Sequence, residues 1–500
     1  MIKGITEFCR KNFCARGINQ ILPLALIVLT ASLPLMTNYI LEGENLANSL
    51  SRIELISERI TEGFPVRIQP LSTAEYGYDA AAFEADVFLL LPGILHRLGM
   101  SLQTSYKVYL WIINLAAAVI SFVCFQRCFG QKELGLVGSM LFTWCPYRID
   151  SMYVSSQTGE AWAWCFLPIL LAGLAGLCRR QPVLRGEKEN EESKQIDGPA
   201  RAWIPLTVSL CLILCSSVTV FLAAVGICLL WLLFMGRQAL RKDTLAAVAK
   251  TVLATGFLCA WFLLPLFYIL YKNPAIAGNL IPADIRAGGV YPASYLMAFF
   301  RGGASGNFVE NAMVGAKSLG PGFAAAVCAI YYLWGLFTGR FLPQEGRFYG
   351  RRLLILAAVL VWFSTNSFPW ELLQNRNLAF SLVLAWMQTP AKWGIGACLI
   401  LILLSCHVLD LERKRGGIYK ICIGVTVGTA FFTTQFLTGN ILLTADVVKP
   451  DPAQGWESLP LQTITQIPVL WRAAEAVSLA ALIFLIVMGI VRRRKSVKRV

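Results

Sequence analysis

Long stretches without a charged residue recur along this sequence, and they restrict its fold more than any other feature. The first runs from Ile21 to Ile40, and a longer one covers residues 202–236. Some 20 apolar residues in a helix are enough to cross a bilayer. The composition agrees, since 56% of the 500 residues are hydrophobic and only 15% are charged. Lipid is therefore the expected solvent for much of the chain.

These runs predict an all-α polytopic membrane protein with about 12 transmembrane helices. The run at 202–236 is divided into two helices at Ser216-Ser217, because basic residues flank it on both sides. The expected spans are 21–40, 108–126, 134–147, 161–178, 203–217, 219–236, 251–271, 318–339, 353–368, 393–409, 421–441 and 470–491.

The distribution of basic residues predicts the orientation of these helices. With both termini in the cytosol, the cytosolic segments hold 30 of the 44 Lys and Arg residues, as the positive-inside rule requires. The basic N-terminal stretch precedes a run too long for a typical signal peptide, so residues 21–40 are expected to stay as a first span. The net charge of +15 comes from clusters between apolar runs, and therefore does not indicate a nucleic-acid partner.

The chain divides into three parts under this topology. Residues 1–272 form a membrane core with a first outer loop at 41–107, residues 273–317 form a second outer loop, and residues 318–500 carry the last helices and a basic tail. In the first loop, Ile53, Ile56 and Ile60 recur at helical spacing, which predicts an amphipathic helix on the membrane surface. The apolar stretch from Val87 to Leu95 is too short to span and is predicted to be interfacial or re-entrant.

Several common kinds of site are excluded by residue inventory. Only two histidines are present, so a zinc site built from His is excluded. A divalent cation remains open as a cofactor, but carboxylates and carbonyls would have to hold it. The outer loops contain no cysteine, so no disulfide framework is expected. No nucleotide-binding or hydrolase motif is present.

Charged residues at the ends of apolar segments are the candidates for chemistry. Asp86 precedes the stretch at 87–95, Arg148 ends one predicted span, and Glu160 opens the next. A charge at the lipid boundary is costly unless it is paired or functional. A carboxylate can act as general base on a hydroxyl group, and arginines bind phosphate by charge-assisted hydrogen bonds. Transporters also line cavities with such pairs, so the pattern does not distinguish an enzyme from a transporter.

Several motifs together give the sequence a family resemblance. They read GENLANSLSRIELI (43–56), EGFPVRIQP (62–70), YGYDAAAFEAD (76–86), LFTWCPYRIDSMYVSSQTGE (141–160), FPWELLQ (368–374) and MQTPAKW (387–393). This chain resembles the YfhO-like bacterial membrane proteins, some of which are labelled after a 6-pyruvoyl-tetrahydropterin-synthase-related domain. That family belongs with the GT-C superfamily of membrane glycosyltransferases, and the resemblance covers most of the chain.

The resemblance implies a transferase that uses a polyprenyl-phosphate sugar and has a catalytic acid in the first outer loop. Family members often read GHDLxFHLxRIE there, whereas this chain has Glu44, Asn45 and Ser49 at the His, Asp and second His positions. Arg52 and Glu54 match the family pattern, as does Glu160, and Lys392 stands where relatives tend to have arginine. The expected catalytic residues are Glu44 and Asp86, with substrate contacts from Asn45, Arg52, Glu54, Arg148, Glu160 and Lys392.

Three functions are consistent with these observations. The first is transfer of a sugar from polyprenyl phosphate to an envelope glycan or wall polymer on the outer face of the bacterial cytoplasmic membrane. The second is an inactive relative that binds lipid-linked sugar or scaffolds envelope assembly, which Asn45 at the expected Asp position favours. The third is a transporter or flippase. The sequence shows no repeat between its two halves, which argues against this function.

Overall fold

The computed structural model describes residues 18–41, 43, 45–62, 68–69, 78–79, 85–178, 199–272, 289–290, 295, 320–341, 344–370, 390–444, 447–451 and 455–459. Within these ranges the chain is mostly helical. Five helices are long and apolar enough to cross a membrane: 102–129, 158–177, 218–238, 390–415 and 419–439. By this criterion the chain is a multi-pass membrane protein.

The first half of the chain contains eleven of the described α-helices. They are α1 (Ile18–Ala31), α2 (Leu46–Arg59), α3 (Leu90–Arg97), α4 (Leu102–Phe129), α5 (Lys132–Thr143), α6 (Pro146–Tyr153), α7 (Thr158–Cys178), α8 (Pro199–Leu214), α9 (Val218–Met235), α10 (Lys242–Leu258) and α11 (Ala260–Lys272). Short 3₁₀ turns at 33–36, 60–62 and 87–89 lie in the connections between α1, α2 and α3.

The second half contributes α12 (Phe323–Phe337), α13 (Gln344–Ser364), α14 (Trp393–Arg415) and α15 (Tyr419–Thr444) to the described residues. Helix α14 is central, because almost all of its residues from Gly394 to Leu409 are buried. It packs against α13, α12 and α5, while α4 packs against α5 and α7, and α8 packs against α7 and α10. One large core of apolar side chains joins these helices.

Short strands lie between the helices and correct the all-α prediction. Strand β1 (Ile40–Leu41) pairs antiparallel with β4 (Val447–Asp451), which pairs with β5 (Gly455–Leu459). A second ribbon pairs β2 (Ile68–Gln69) with β3 (Tyr78–Asp79). Strands β1, β2 and β3 are two residues long, too short to show the alternation from which a strand is predicted. Strands β4 and β5 have five residues each. Strand β1 leads directly into the first loop.

Every predicted span within the described residues contains a helix, and the span at 470–491 lies outside them. The division of 202–236 is confirmed, because α8 ends at Leu214 and the Ser217 hydroxyl accepts a hydrogen bond from the Val220 amide at the start of α9. The span predicted at 251–271 is broken at Cys259 into α10 and α11. The number of membrane crossings stays a prediction.

Both predicted elements of the first loop are helical. Helix α2 carries Ile53 and Ile56 on its buried side and Glu54 and Glu58 on its exposed side, so its amphipathic character is confirmed. The stretch from Val87 forms a 3₁₀ turn followed by α3, which packs on α2. Ile56 packs so closely on Gly93 of α3 that a side chain at position 93 would collide with it. The two helices therefore form one packed unit at this end of the bundle.

Candidate functional site

A buried ion pair joins the two helical elements of the first loop. The guanidinium Nη2 of Arg52, in α2, meets the carboxylate Oδ2 of Asp86, and both side chains are almost fully buried. Glu54 lies two positions further along α2 and is exposed, since residues two apart on a helix point in different directions. The helix therefore turns one of its charges inward while the neighbouring charge stays on the surface.

Asp86 is held in an unusual backbone conformation just before the 3₁₀ turn. Its φ is +47°, in the left-handed region that is uncommon for residues other than glycine. Residues on either side fix it in place. Ala85 belongs to a small apolar cluster with Leu214, Cys259 and Phe262, and Phe88 stacks on Trp162 of α7 at a ring-centroid distance of 4.6 Å. Such conformations persist where the surroundings over-determine them, often at functional sites.

A second buried ion pair joins Glu160 to Lys392. The carboxylate Oε2 of Glu160 accepts from the ammonium of Lys392, and its Oε1 accepts from the Ser151 hydroxyl at 2.8 Å. The same ammonium donates to the side-chain carbonyl of Gln157 at 2.7 Å. Both charged side chains are less than a tenth exposed. Four side chains from α6, α7, the loop between them and the start of α14 thus form one hydrogen-bonded group.

The positions of this pair on their helices explain why Lys392 needs a partner. Glu160 lies in the first turn of α7, where the helix dipole favours a negative charge. Lys392 lies at the N-cap of α14, where the dipole opposes a positive charge. The carboxylate of Glu160 offsets both this repulsion and part of the cost of burying the ammonium.

The loop between α6 and α7 connects the first loop to this second pair. The backbone amide and the side-chain Nδ2 of Asn45 both donate to the Ser155 carbonyl, each at 3.2 Å. The Ser49 hydroxyl makes a long 3.5 Å contact with the Ser156 carbonyl. Gly43 packs against the same loop, where a Cβ added at position 43 would lie 2.7 Å from the Val154 carbonyl oxygen. Gln157 of the same loop reaches Lys392, so residues 154–157 contact both parts of the candidate site.

Ser156 in this loop shares the backbone feature of Asp86. Its φ is +49°, and it and Asp86 are the two residues other than glycine with positive φ among those the structure describes. Asp86 belongs to one of the two ion pairs, and Ser156 precedes Gln157, which contacts the other. Backbone strain in the described chain is therefore concentrated at the candidate site.

Arg148 lies deeper in the helical bundle than the sequence suggested. It is fully buried, and its guanidinium donates to the Thr143 carbonyl at 2.9 Å and to Asn114 Oδ1 at 2.8 Å. Thr143 is the last residue of α5, whose final carbonyls lack helical partners. Arg148 therefore ties the end of α5 to α6 and α4. No acidic side chain lies within 4.0 Å of it in the described part of the chain.

The structure thus brings the predicted residues together in groups. Arg52 pairs with Asp86, Glu160 pairs with Lys392, and Asn45 contacts the loop that leads to Glu160. Arg148 joins a separate network, and Glu54 lies on the exposed side of α2. Glu44 falls outside the described residues, so its predicted role stays a prediction.

Four polar residues in these networks were not among the predicted ones: Ser151, Gln157, Asn114 and Tyr153. Tyr153 donates to the Ala31 carbonyl at 2.7 Å and accepts from Asn114 at 3.0 Å. Asn114 could have been found in the sequence, because it is an amide within an otherwise apolar span. Ser151 and Gln157 give no such signal, because polar residues are ordinary in a connecting loop.

The carboxylates of the described residues do not cluster in the way that a divalent cation would require. Such an ion takes several oxygen ligands, and the described ranges contain no group of three or more His, Cys, Asp or Glu side chains that could hold one. The carboxylates of Asp86 and Glu160 are each engaged by a cationic side chain.

No protein-family model and no curated protein matches this sequence. The chain is similar to the Archaeoglobus fulgidus oligosaccharyltransferase in a crystal structure with Zn and sulfate, with 13% identity and a TM-score of 0.47, over 84% of this chain and 53% of that one. For the apo form of that enzyme the identity and TM-score are the same, over 86% and 56% of the two chains. This chain thus spans about half the length of the structures it matches.

Proposed function

We propose that this protein is a GT-C-type membrane glycosyltransferase of the YfhO-like kind. It moves a sugar from a polyprenyl-phosphate donor to a hydroxyl of a cell-envelope glycan or wall polymer, on the outer face of the bacterial cytoplasmic membrane, with both termini cytosolic. The observation that carries the proposal is the buried ion pair of Arg52 and Asp86, formed in the loop where the family resemblance expects the catalytic acid.

The energetics of this pair favour a role beyond folding. Taking two charges out of water costs several kcal/mol per ion, and well-packed apolar residues often stabilise a protein as much or more. A protein that needed only a contact between α2 and the 3₁₀ turn would gain more from leucine. Ionisable residues retained among membrane helices generally mark sites of binding or chemistry.

The two side chains match the two tasks of sugar transfer. An arginine binds a phosphate through two parallel hydrogen bonds, so the donor phosphate competes with Asp86 for the guanidinium of Arg52. Asp86, released from its ion pair, is then a free carboxylate and can act as a general base. It takes the proton of the acceptor hydroxyl as that oxygen bonds to the sugar carbon C1. The bond from C1 to the phosphate oxygen breaks, and its electron pair leaves with the lipid phosphate.

The second pair supports this chemistry from the neighbouring helices. Lys392 supplies another cation for the donor phosphate, and Glu160 holds that cation at the start of α14. Asn45 fixes the loop between α6 and α7, and Arg148 fixes the end of α5. Glu54, exposed on α2, is placed to contact an incoming acceptor. Glu44 is the second candidate for the base, one residue from the position where relatives have Asp.

One observation favours the inactive relative as a second candidate. Asn45 stands at the expected Asp position, and its amide donates to the Ser155 carbonyl. A carboxylate cannot donate, so this residue is adapted to a structural contact. Without Asp86 or Glu44 as base, the protein would bind lipid-linked sugar and not transfer it.

The proposal is tested in a strain that lacks this protein. Loss of a glycan substituent, together with accumulation of a polyprenyl-phosphate sugar, is the expected phenotype. Wild type should restore the substituent, while Asp86→Asn should not, because a lost general base lowers rate by roughly 10²–10⁴. Glu58→Gln, on the exposed side of α2, is the matched control. Accumulation of the lipid-linked sugar on the cytosolic side would instead indicate a flippase. Full restoration by both Asp86→Asn and Glu44→Gln would refute the proposed base.

A further inference from the structure

A cleft opens beside the candidate site but does not include either ion pair. It lies between the segment 34–41, the start of α4 and the end of α6, and it is partly open to the surface. Most of its walls are apolar, formed by residues such as Leu35, Ile40 and Leu110. Five side chains with a polar group interrupt them: Tyr39, Tyr106, Lys107, Tyr153 and Ser156. An apolar cleft with a few polar groups is the usual form of a small-molecule site.

Lys107 places a positive charge in this cleft. Its ammonium donates to the Thr37 carbonyl, and an ammonium has two further protons to donate. Across the described ranges, no acidic side chain lies within 4.0 Å of it. The side chain is about half buried. The ammonium therefore has protons to donate beyond the one that the Thr37 carbonyl accepts.

Tyr39 adds a buried hydroxyl group. The hydroxyl oxygen is buried and has no hydrogen-bond partner among the residues that the structure describes. A buried polar group left without a partner destabilises a protein, and such groups are rare in native structures. An oxygen atom of a ligand in the cleft would remove this penalty.

We propose that this cleft binds the phosphate group of a lipid. The phosphate accepts hydrogen bonds from the ammonium of Lys107 and the hydroxyl of Tyr39, and the apolar walls contact the lipid chain. Free phosphate would use the two donors and leave those walls uncovered. The shared chemistry fits two sources, a phospholipid of the bilayer and a polyprenyl phosphate.

The cleft is linked to the candidate site through the loop between α6 and α7. Ser156 lines it, while the neighbouring Ser155 and Gln157 contact Asn45 and Lys392. A lipid bound here would therefore touch the loop that joins the two ion pairs. Occupancy of the cleft does not depend on sugar transfer, because none of its residues belongs to the proposed catalytic group.

The test is a binding measurement on the full chain, purified in a neutral detergent. The probes are dioctanoyl phosphatidylglycerol, geranylgeranyl phosphate, inorganic phosphate and uncharged dioctanoylglycerol, titrated by calorimetry. At least one of the two lipid phosphates should bind, and the tighter of them identifies the source. Equal affinity for dioctanoylglycerol or for inorganic phosphate would overturn the proposal.

Three variants complete the experiment. Tyr39→Phe should bind the lipid phosphate at least about tenfold more weakly, since a hydrogen bond to a charged group is lost. The same variant should unfold at no lower temperature than wild type without lipid, because it removes an unpartnered buried hydroxyl. Lys107→Met should weaken binding further, and Lys250→Met, which removes an exposed cation of α10, should leave it unchanged. Wild-type affinity in both Tyr39→Phe and Lys107→Met would refute the site.

Discussion

Glu160 and Lys392 lie 232 positions apart in the sequence and form a buried ion pair where α7 and α14 begin. The contact attaches the central helix α14 to the first half of the chain. Ser151 and Gln157 complete the group from α6 and the following loop. The pair is therefore both a structural link and part of the candidate site, and these two roles can be separated by mutation.

Removing one partner of this pair should be more harmful than removing both. Lys392→Met leaves the Glu160 carboxylate buried without its cation, so we expect a loss of about 3–5 kcal/mol in the free energy of unfolding. The double variant Lys392→Met, Glu160→Gln should recover most of that loss. Unfolding in detergent measures both, with Lys420→Met on the exposed side of α15 as the control. If the loss of unfolding free energy in the double variant equalled the sum of the losses in Lys392→Met and Glu160→Gln, the two side chains would act independently.

Removing both charges of the Arg52–Asp86 pair should leave folding nearly unchanged but weaken donor binding. The double variant Arg52→Met, Asp86→Asn removes both charges and should fold with nearly wild-type stability. It should nevertheless bind the lipid-linked donor weakly, since each charge-assisted hydrogen bond to phosphate contributes roughly 1.5–3 kcal/mol. Arg52→Lys should keep the charge, lose the two-point contact and show intermediate affinity. Wild-type donor affinity in the folded double variant would mean that the pair only holds α2 in place.

Asn45→Asp should destabilise the protein and not activate it. The substitution places a carboxylate oxygen against the Ser155 carbonyl, where the amide now donates. We expect a loss of about 1–3 kcal/mol, larger than for Asn45→Ala, which only removes a hydrogen bond. The deficit should shrink as the pH is lowered, because a protonated carboxyl group can donate. New transferase activity in Asn45→Asp would instead support the inactive-relative alternative.

The topology can be checked with reporter fusions. A reporter joined after residue 60 or 290 should be found outside, and one joined after residue 190, 345 or 500 should be found in the cytosol. The expectation follows from the concentration of 30 of the 44 basic residues in the segments assigned to the cytosol. A cytosolic signal after residue 60 would place the first loop on the wrong side for a polyprenyl-linked donor used outside.

Local patterns predicted the helices better than the contacts between them. The spacing of Ile53 and Ile56 predicted α2, and Ser216-Ser217 between two basic flanks predicted the turn between α8 and α9. The break at Cys259 was missed, because neither glycine nor proline stands at that position.

The sequence named candidate residues but not their pairing. Arg52 and Asp86 were both predicted as site residues of the first loop, and the structure shows that they form an ion pair. The partner of Glu160 was not predicted, since the packing of α14 against the first half of the chain decides which cation reaches it. The burial of Arg148 also depends on that packing, because its partners Asn114 and Thr143 belong to other helices.

The pairing of β1 with β4 has a consequence for biosynthesis. Ile40 and Leu41 lead into the candidate site, and their strand partners Val448 and Val447 are synthesised about 400 residues later. At 5–20 residues per second, this delay is roughly 20–80 s. During that time the nascent chain must keep an unpaired strand edge next to an unfinished site. The pairing of β1 is therefore completed only after β4 has been synthesised.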